Sequence, residues 1–319
     1  MIIDTASPDQ RLPRHPVAMH SIGRFMLPVP VGLRLSSSVL RLNKITVQEI
    51  PWKKGREREE YFRVVWEPLR AEAHKTYMRR GKIGPSTQGG WAEEDISHLC
   101  GYPAMLFCYR GNTADHNIDV HIGLPDVILR LTEGRFYRVG EACLDMEGSV
   151  LDLLGHYRFG YRNVAPDSFF TAGGRFEGLK TWDERAGIGL KRPASDSRGE
   201  VYLRFDTFLE SEPGQSPRHI AVTSSLAGRL GIKLNILRSR GRDLAGMKGL
   251  EEVYIMTDTG GENPELTATW EYEGAGGDPL KPRIELQLCC PAEDRVEALR
   301  MWDAIMSNFT SAREYYARR

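Results

Sequence analysis

The chain contains no run of about 18 apolar residues, so nothing in it reads as a helix that spans a bilayer. It carries no surplus charge either. Its 43 basic residues equal its 43 acidic ones, which excludes a global field that would gather nucleic acid or anionic lipid and leaves any charged recognition to local patches. Cysteine is scarce: Cys100, Cys108, Cys143, Cys289 and Cys290 are too scattered for a disulfide framework, and none lies in a Cys-x-x-Cys pair. A single Cys100–Cys108 bridge fits an oxidising compartment, but buried free thiols packing as small hydrophobes are the better reading. Residues 1–30 are interrupted by charge and by Pro8, Pro13, Pro16 and Pro28 and lack the apolar core of a secretory signal. The expectation is a cytosolic chain, or one whose leader has been removed.

Catalytic signatures are missing too. There is no Gly-x-Ser-x-Gly elbow, no His-Glu-x-x-His and no phosphate-binding Gly-x-x-x-x-Gly-Lys-[Ser/Thr]. Gly173-Gly-Arg-Phe-Glu-Gly178 does not fit dinucleotide spacing and reads as a turn. A metal reading would draw on His116, His121 and Asp119, with Asp115 adjacent. Residues five apart on a strand face opposite ways, so hairpin or surface histidines are the better reading, and neither metal nor cofactor is expected. Asp183-Glu184 and Glu251-Glu252 are neighbouring carboxylates that a strand points apart, unfit to share one proton, and they read as salt-bridged or solvated. Arg238, Arg240 and Arg242 alternate and place three guanidiniums along one side of a strand end. That row suits an anion or an acidic partner, with plain solvation as the alternative.

What is present is globular. At 319 residues, with 41% hydrophobic and 27% charged, the chain is long enough for two ordinary domains. In the first half, residues 23–30 and 33–50 read as strands. Residues 56–77 read as a helix kinked at Pro68, with Phe62, Val65, Trp66, Leu69 and Ala73 on one face. A polar loop over 79–95 follows, then a meander of strands over 103–110, 117–122 and 127–132, and a helix over 147–162. After a linker at 163–167, strands are expected at 181–190, 201–209, 232–237, 250–257, 266–272 and 284–290, with a short helix at 224–230. The final helix, 291–311, would bury Val296, Leu299, Met301, Trp302, Ile305 and Phe309. This order predicts an α+β protein of two related modules, 1–163 and 164–319, each an antiparallel sheet with helices packed on it.

Of the six tryptophans, Trp66, Trp182, Trp270 and Trp302 read as core, lying on helix faces or in strands. Trp52, before Lys53-Lys54, and Trp91, in the polar loop, have surroundings that do not explain burial. With Tyr137 they are candidate partner-binding anchors, or else pins for their own loops.

Four segments carry a family likeness: Arg238-Ser-Arg-Gly-Arg-Asp-Leu-Ala-Gly-Met-Lys-Gly-Leu-Glu251, Trp270-Glu-Tyr-Glu-Gly274, Pro279-Leu-Lys-Pro-Arg-Ile-Glu-Leu-Gln-Leu288 and Ala298-Leu-Arg-Met-Trp-Asp-Ala-Ile-Met-Ser-Asn-Phe309. The series resembles the carboxy-terminal domain of immunity proteins that neutralise type VI secretion lipase effectors, and residues 21–30 resemble that family's first domain. Relatives usually carry cysteine where Ser21 stands and near Phe169 or Phe170; its loss at both places fits a pair in those relatives. The resemblance implies two domains clamped around a secreted phospholipase, probing no chemistry of their own: no catalytic residue, no cofactor, no nucleic acid, and a one-to-one complex in the periplasm once a leader is removed. Two other classes stay open at this point. One is an enzyme or ligand-binding protein centred on His116, Asp119 and His121; the other is a self-associating component of a secretion apparatus.

Overall fold

Period-two alternation dominates the chain, and the computed structural model turns it into a sheet-rich α+β fold. The described residues are 15–51, 67–68, 70–71, 75, 91–110, 116–136, 151–161, 164–165, 167–193, 200–209, 232–257 and 263–318. The first half contributes β1 (Val17–Ile22), β2 (Phe25–Pro30), β3 (Arg34–Leu42), β4 (Ile45–Pro51), β5 (Trp91–Asp95), β6 (Ala104–Arg110), β7 (His116–Gly123) and β8 (Val127–Phe136). Three short strands follow, β9 (Tyr157–Phe159), β10 (Phe169–Phe170) and β11 (Gly174–Phe176). The second half adds β12 (Glu184–Lys191), β13 (Tyr202–Phe208), β14 (Lys233–Leu244), β15 (Met247–Thr257), β16 (Glu265–Tyr272), β17 (Arg283–Pro291) and β18 (Thr310–Ser311). Among the described residues helices are few: besides the helical positions 67, 68, 70, 71 and 75, they are α1 (Ser97–Cys100), α2 (151–156), α3 (Arg295–Asn308) and α4 (Ala312–Ala317).

Twelve strands make one antiparallel sheet in the order β14-β15-β16-β17-β13-β12-β3-β4-β8-β7-β6-β5. In β17, Ile284, Leu286, Leu288 and Cys290 are buried while their neighbours are half-exposed, so one face of the sheet is apolar. α3 covers that face with Ala298, Met301, Trp302 and Ile305, at the three- and four-residue steps a helix stripe needs. The chain then turns extended at Phe309, whose ring meets Phe25 of β2 (5.5 Å between centroids), Phe205 of β13 (5.8 Å) and Trp270 of β16 (6.2 Å). β18 pairs with β2, and α4 closes a second small cluster of Met26, Phe170 and Ala312.

The long sheet parts in its middle. β3 pairs with β12 along its length and β4 pairs with β8 from Thr46 to Pro51, yet β3 and β4 share only Arg41–Thr46 and Leu42–Ile45. The turn between them, Asn43 and Lys44, has φ of 50° and 72°, the left-handed pair that a tight hairpin requires. A clasp holds this turn. Asp183 accepts from Arg41 Nη2 (2.9 Å) and the Lys44 N–H (3.1 Å), its carbonyl accepts from the Asn43 N–H (2.7 Å), and Asn43 Oδ1 accepts from the Trp182 N–H (2.9 Å). The two small sheets, β1-β2-β18 and β10-β11-β9, are linked by the Gly23–Phe170 bridge.

Several expectations change. Rather than a separate sheet for each half, the halves join through β3–β12, and β2 likewise pairs with β18. Residues 157–159 do not extend the helix before them: Tyr157 pairs with Phe176, and its hydroxyl donates to Glu49 (2.6 Å), which overrides the helical spacing. Residues 91–95 are an edge strand instead of loop, because β6 offers them a ladder. The final helix stops at Asn308, and Val296 is 55% exposed because it lies opposite the Ala298–Met301 stripe. Trp182 is 61% exposed, lying before β12 with Lys44 Nζ 4.9 Å from its ring, not in the core. Of the helix expected over 56–77, positions 67, 68, 70, 71 and 75 are helical; the rest, and the helix at 224–230, lie outside the described residues.

Gly249 tests the packing. A β-carbon there would stand 2.4 Å and 2.6 Å from the indole of fully buried Trp270 and 2.5 Å from the Glu271 carbonyl. Gly249→Ala is expected to lower stability by about 1–3 kcal/mol, the usual cost of overpacking, read from the urea midpoint. Gly241→Ala, with open space at that position, serves as the neutral control.

Candidate functional site

The β14–β15 hairpin turns at Ala245-Gly246, where Gly246 has φ of 76°. Counting outward from that turn sets Arg240 opposite Glu251 and Arg242 opposite Gly249, so the guanidinium row and the carboxylate share one side. Arg238, opposite Val253 in the same unbroken register, falls on that side by plain alternation, and the register shift lies beyond it, between Ile236 and Arg238. The three arginines converge. Arg238 Nη1 donates to Glu251 Oε1 (2.7 Å), Arg240 Nε to Oε2 (2.7 Å) and Arg242 Nη1 to both oxygens (3.2 Å). Trp302 of α3 donates its indole N–H to Oε1 (2.9 Å), and Asp303 accepts from Arg238 (2.8 Å).

Glu251 is completely buried. Burial alone would raise its carboxyl pKa; hydrogen bonds from Arg238, Arg240 and Trp302 outweigh that and hold it at about 2. The anion that the arginine row binds is therefore internal. The cluster fastens α3 to the sheet.

The other titratable groups are engaged in the same way. Asp119 and His121 share a face of β7, with His121 Nε2 2.9 Å from Asp119 Oδ1. Arg130 of β8 donates Nε to Oδ1 (2.9 Å) and Nη2 to Oδ2 (2.5 Å). Desolvation opposes ionisation of Asp119, yet the bonds from His121 and Arg130 prevail and its pKa is lowered. Arg130 thus occupies the carboxylate that the metal reading needed, and among the described residues no group of three His, Cys, Asp or Glu side chains could hold a metal ion. Arg24 forks onto Glu184, with Nε 2.9 Å from Oε2, so the acidic pair at 183–184 is split between a clasp and a buried salt bridge. Arg192 meets Asp294 (3.5 Å) and Glu297 (3.2 Å) at the start of α3.

Cys100, Cys289 and Cys290 are free thiols, so the Cys100–Cys108 bridge does not form. Burial pushes Cys289 up to about 11 and Cys290 up to about 12, which leaves both protonated and unreactive at neutral pH. Trp91 stands in β5, at one end of the twelve-stranded order, paired with Tyr109. Trp52 and Tyr137 lie outside the described residues. An open cleft of about 470 Å³ beside α2 is lined by Leu124, Leu151, Leu154 and Phe159 together with Asp126 and Arg158. Among the described residues no helix is long and apolar enough to cross a membrane.

No family model and no curated protein matches the chain. Solved structures do. The T6SS immunity protein TplEi from Pseudomonas aeruginosa superposes without ligand at a TM-score of 0.66, over 92% of this chain and 97% of that one, at 14% identity. Complexed with "L" peptide it gives 0.65, over 93% and 99%, at 16% identity. A chain of the crystal structure of the Tle4-Tli4 complex gives 0.67, over 94% and 99%, at 15% identity. The chain has the fold of a type VI secretion immunity protein. The segments that carried the resemblance in sequence now have physical places: Gly246 makes the β14–β15 turn, Gly249 lies under Trp270, and Trp302 reaches Glu251. The arginine row and the glutamate pair were each visible in sequence, but their union depends on the hairpin register. The Ala245-Gly246 turn was the available signal for it.

Glu251 gives a pH-dependent prediction. Its folded pKa of about 2 lies below its ordinary 4.5, so its contribution is complete above about pH 4.5 and disappears as pH falls toward 2. Glu251→Gln is expected to cost about 3 kcal/mol at pH 7, and the gap to wild type should close between about pH 5 and pH 2. Urea unfolding followed by tryptophan fluorescence across that range measures it.

Proposed function

We propose that the chain is an immunity protein that binds and neutralises a type VI secretion lipase effector, acting by contact and not by catalysis. The observation that carries this reading is the extent of the fold likeness, which spans 92–94% of this chain and 97–99% of the matched chains. The engaged state of Asp119, Glu184 and Glu251 supports it, since each carboxylate serves the fold. The same state of Asp119 removes the support for an enzyme centred there.

In this reading the two wings of the sheet, β4 to β8 on one side and β12 to β17 with β3 on the other, act as the arms of a clamp that parts at the Asn43–Lys44 turn. The division at residue 163 approximates those arms, with β1 to β3 crossing to the second. The partner is a phospholipase held one-to-one in the periplasm, kept from membrane and from opening its lid. Two arms make an interface larger than the standard of about 1,600 Å2.

The test is to express the lipase encoded beside this gene in the periplasm with and without the chain. Protection from lysis and a one-to-one complex by light scattering are expected; lysis despite good expression of both proteins ends the reading. Trp52→Ala, Trp91→Ala and Tyr137→Ala are each expected to cost at least about 2 kcal/mol of affinity with little change in melting temperature. Variants that melt early and bind normally would make these residues pins of their own loops.

A further inference from the structure

From Arg34 to Val39, β3 is exposed at six consecutive positions, although it is hydrogen-bonded to β12 throughout. Its other edge pairs with β4 only at Arg41 and Leu42, so above that point no described strand completes it. An open edge presents a row of backbone N–H and C=O groups that another extended chain can match. Proteins usually guard such edges with lysine, proline or inward charge. Here the guard is slight: Arg34 is the only charge, and Ser36, Ser37 and Ser38 are small and neutral.

The side chains around the edge also favour an incoming strand. The register shift between Gly189 and Leu190 sets Leu35 opposite Leu190, on the face that carries the core, and Val39 opposite Gly187, on the other face. Leu35 is 60% exposed and Val39 39% exposed, so each face of the edge offers one aliphatic side chain. Val39 and Ser37 stand beside Gly187 and Gly189, over which Asp206 and the Tyr202 hydroxyl lie in place of a side chain from β12. At the end of the edge Arg34 lies opposite Lys191, and both are exposed. Two like charges side by side favour an acidic residue arriving next to them.

Resting on the immunity reading, we infer that the free edge of β3, Arg34–Val39, takes up an extended segment of the effector as an added antiparallel or parallel strand. That segment is about four to six residues long, apolar where it meets Leu35 and Val39, and acidic where it meets Arg34 and Lys191. The edge opens at the parting of the two wings, so the added strand lies in the mouth of the clamp and continues the sheet of one arm. Backbone pairing supplies affinity that tolerates sequence drift in the effector, while the two aliphatic contacts and the basic end supply selectivity.

Amide hydrogen exchange of the full chain, alone and mixed with the lipase encoded beside its gene, tests this directly. Exchange over residues 34–39 is expected to slow at least about tenfold in the complex. Leu35→Lys combined with Val39→Lys replaces two exposed side chains; it is expected to keep the wild-type melting temperature and to weaken binding at least about 30-fold. A complex in which exchange at 34–39 is unchanged overturns the edge assignment and leaves the immunity role standing, as does a folded double variant that binds at wild-type strength. Protection of 34–39 in the chain alone, with a doubled mass, puts a second copy on the edge and also overturns it. Absence of any complex removes the immunity reading and this inference together. Because the exchange measurement uses the wild-type chain, it decides the matter even where the double variant folds poorly.

Discussion

The buried carboxylate of Glu251 joins what would otherwise be separate pieces. Three guanidiniums from β14 and the indole of Trp302 from α3 meet on its two oxygens, so one side chain holds the hairpin in register and the helix on the sheet. A lone carboxylate at that depth would be expensive to ionise, and three arginines without it would repel one another. Each half of the cluster requires the other. The arginines remain partly exposed while the glutamate is fully buried, which lets the cations keep water on one side as they supply hydrogen bonds on the other.

Three other buried ion pairs follow the same economy. Arg24 with Glu184, Arg192 with Asp294 and Glu297, and Arg130 with Asp119 each tie one element to another across a long span or a strand pair. A chain with equal numbers of acidic and basic residues can pair them internally in this way. Conformational specificity is the best account of such ion pairs, because well-packed apolar residues would give comparable stability.

Much of the sheet was legible in the sequence. Val201, Leu203 and Phe205 alternate with Tyr202, Arg204 and Asp206, and that period survives in β13 because one face packs on the core while the other stays polar. The meander β6-β7-β8 was legible because glycine and proline turns separate its strands. Pairing between distant strands was not. Nothing in the local period of β3 announces that it will bond to β12, and that bond is what makes one sheet from two runs of strands. Tyr157 misled for a related reason: it continues the helical spacing of Leu153 and Leu154, but long-range bonds to Phe176 and Glu49 decide its conformation. The chemistry of the arginine row was visible, whereas its target depended on a turn.

Phe309 stacks on Phe25, and β18 pairs with β2, so the core is closed by residues far apart in sequence. Phe25 is synthesised well before Phe309. Until residues 309–311 exist, the chain lacks the ring at the centre of its aromatic cluster and the strand that completes its first small sheet. Long-range closure of this kind is slow. The aromatic centre of this core is therefore a product of long-range closure, and it stays open to water until the segments around residues 25 and 309 have met.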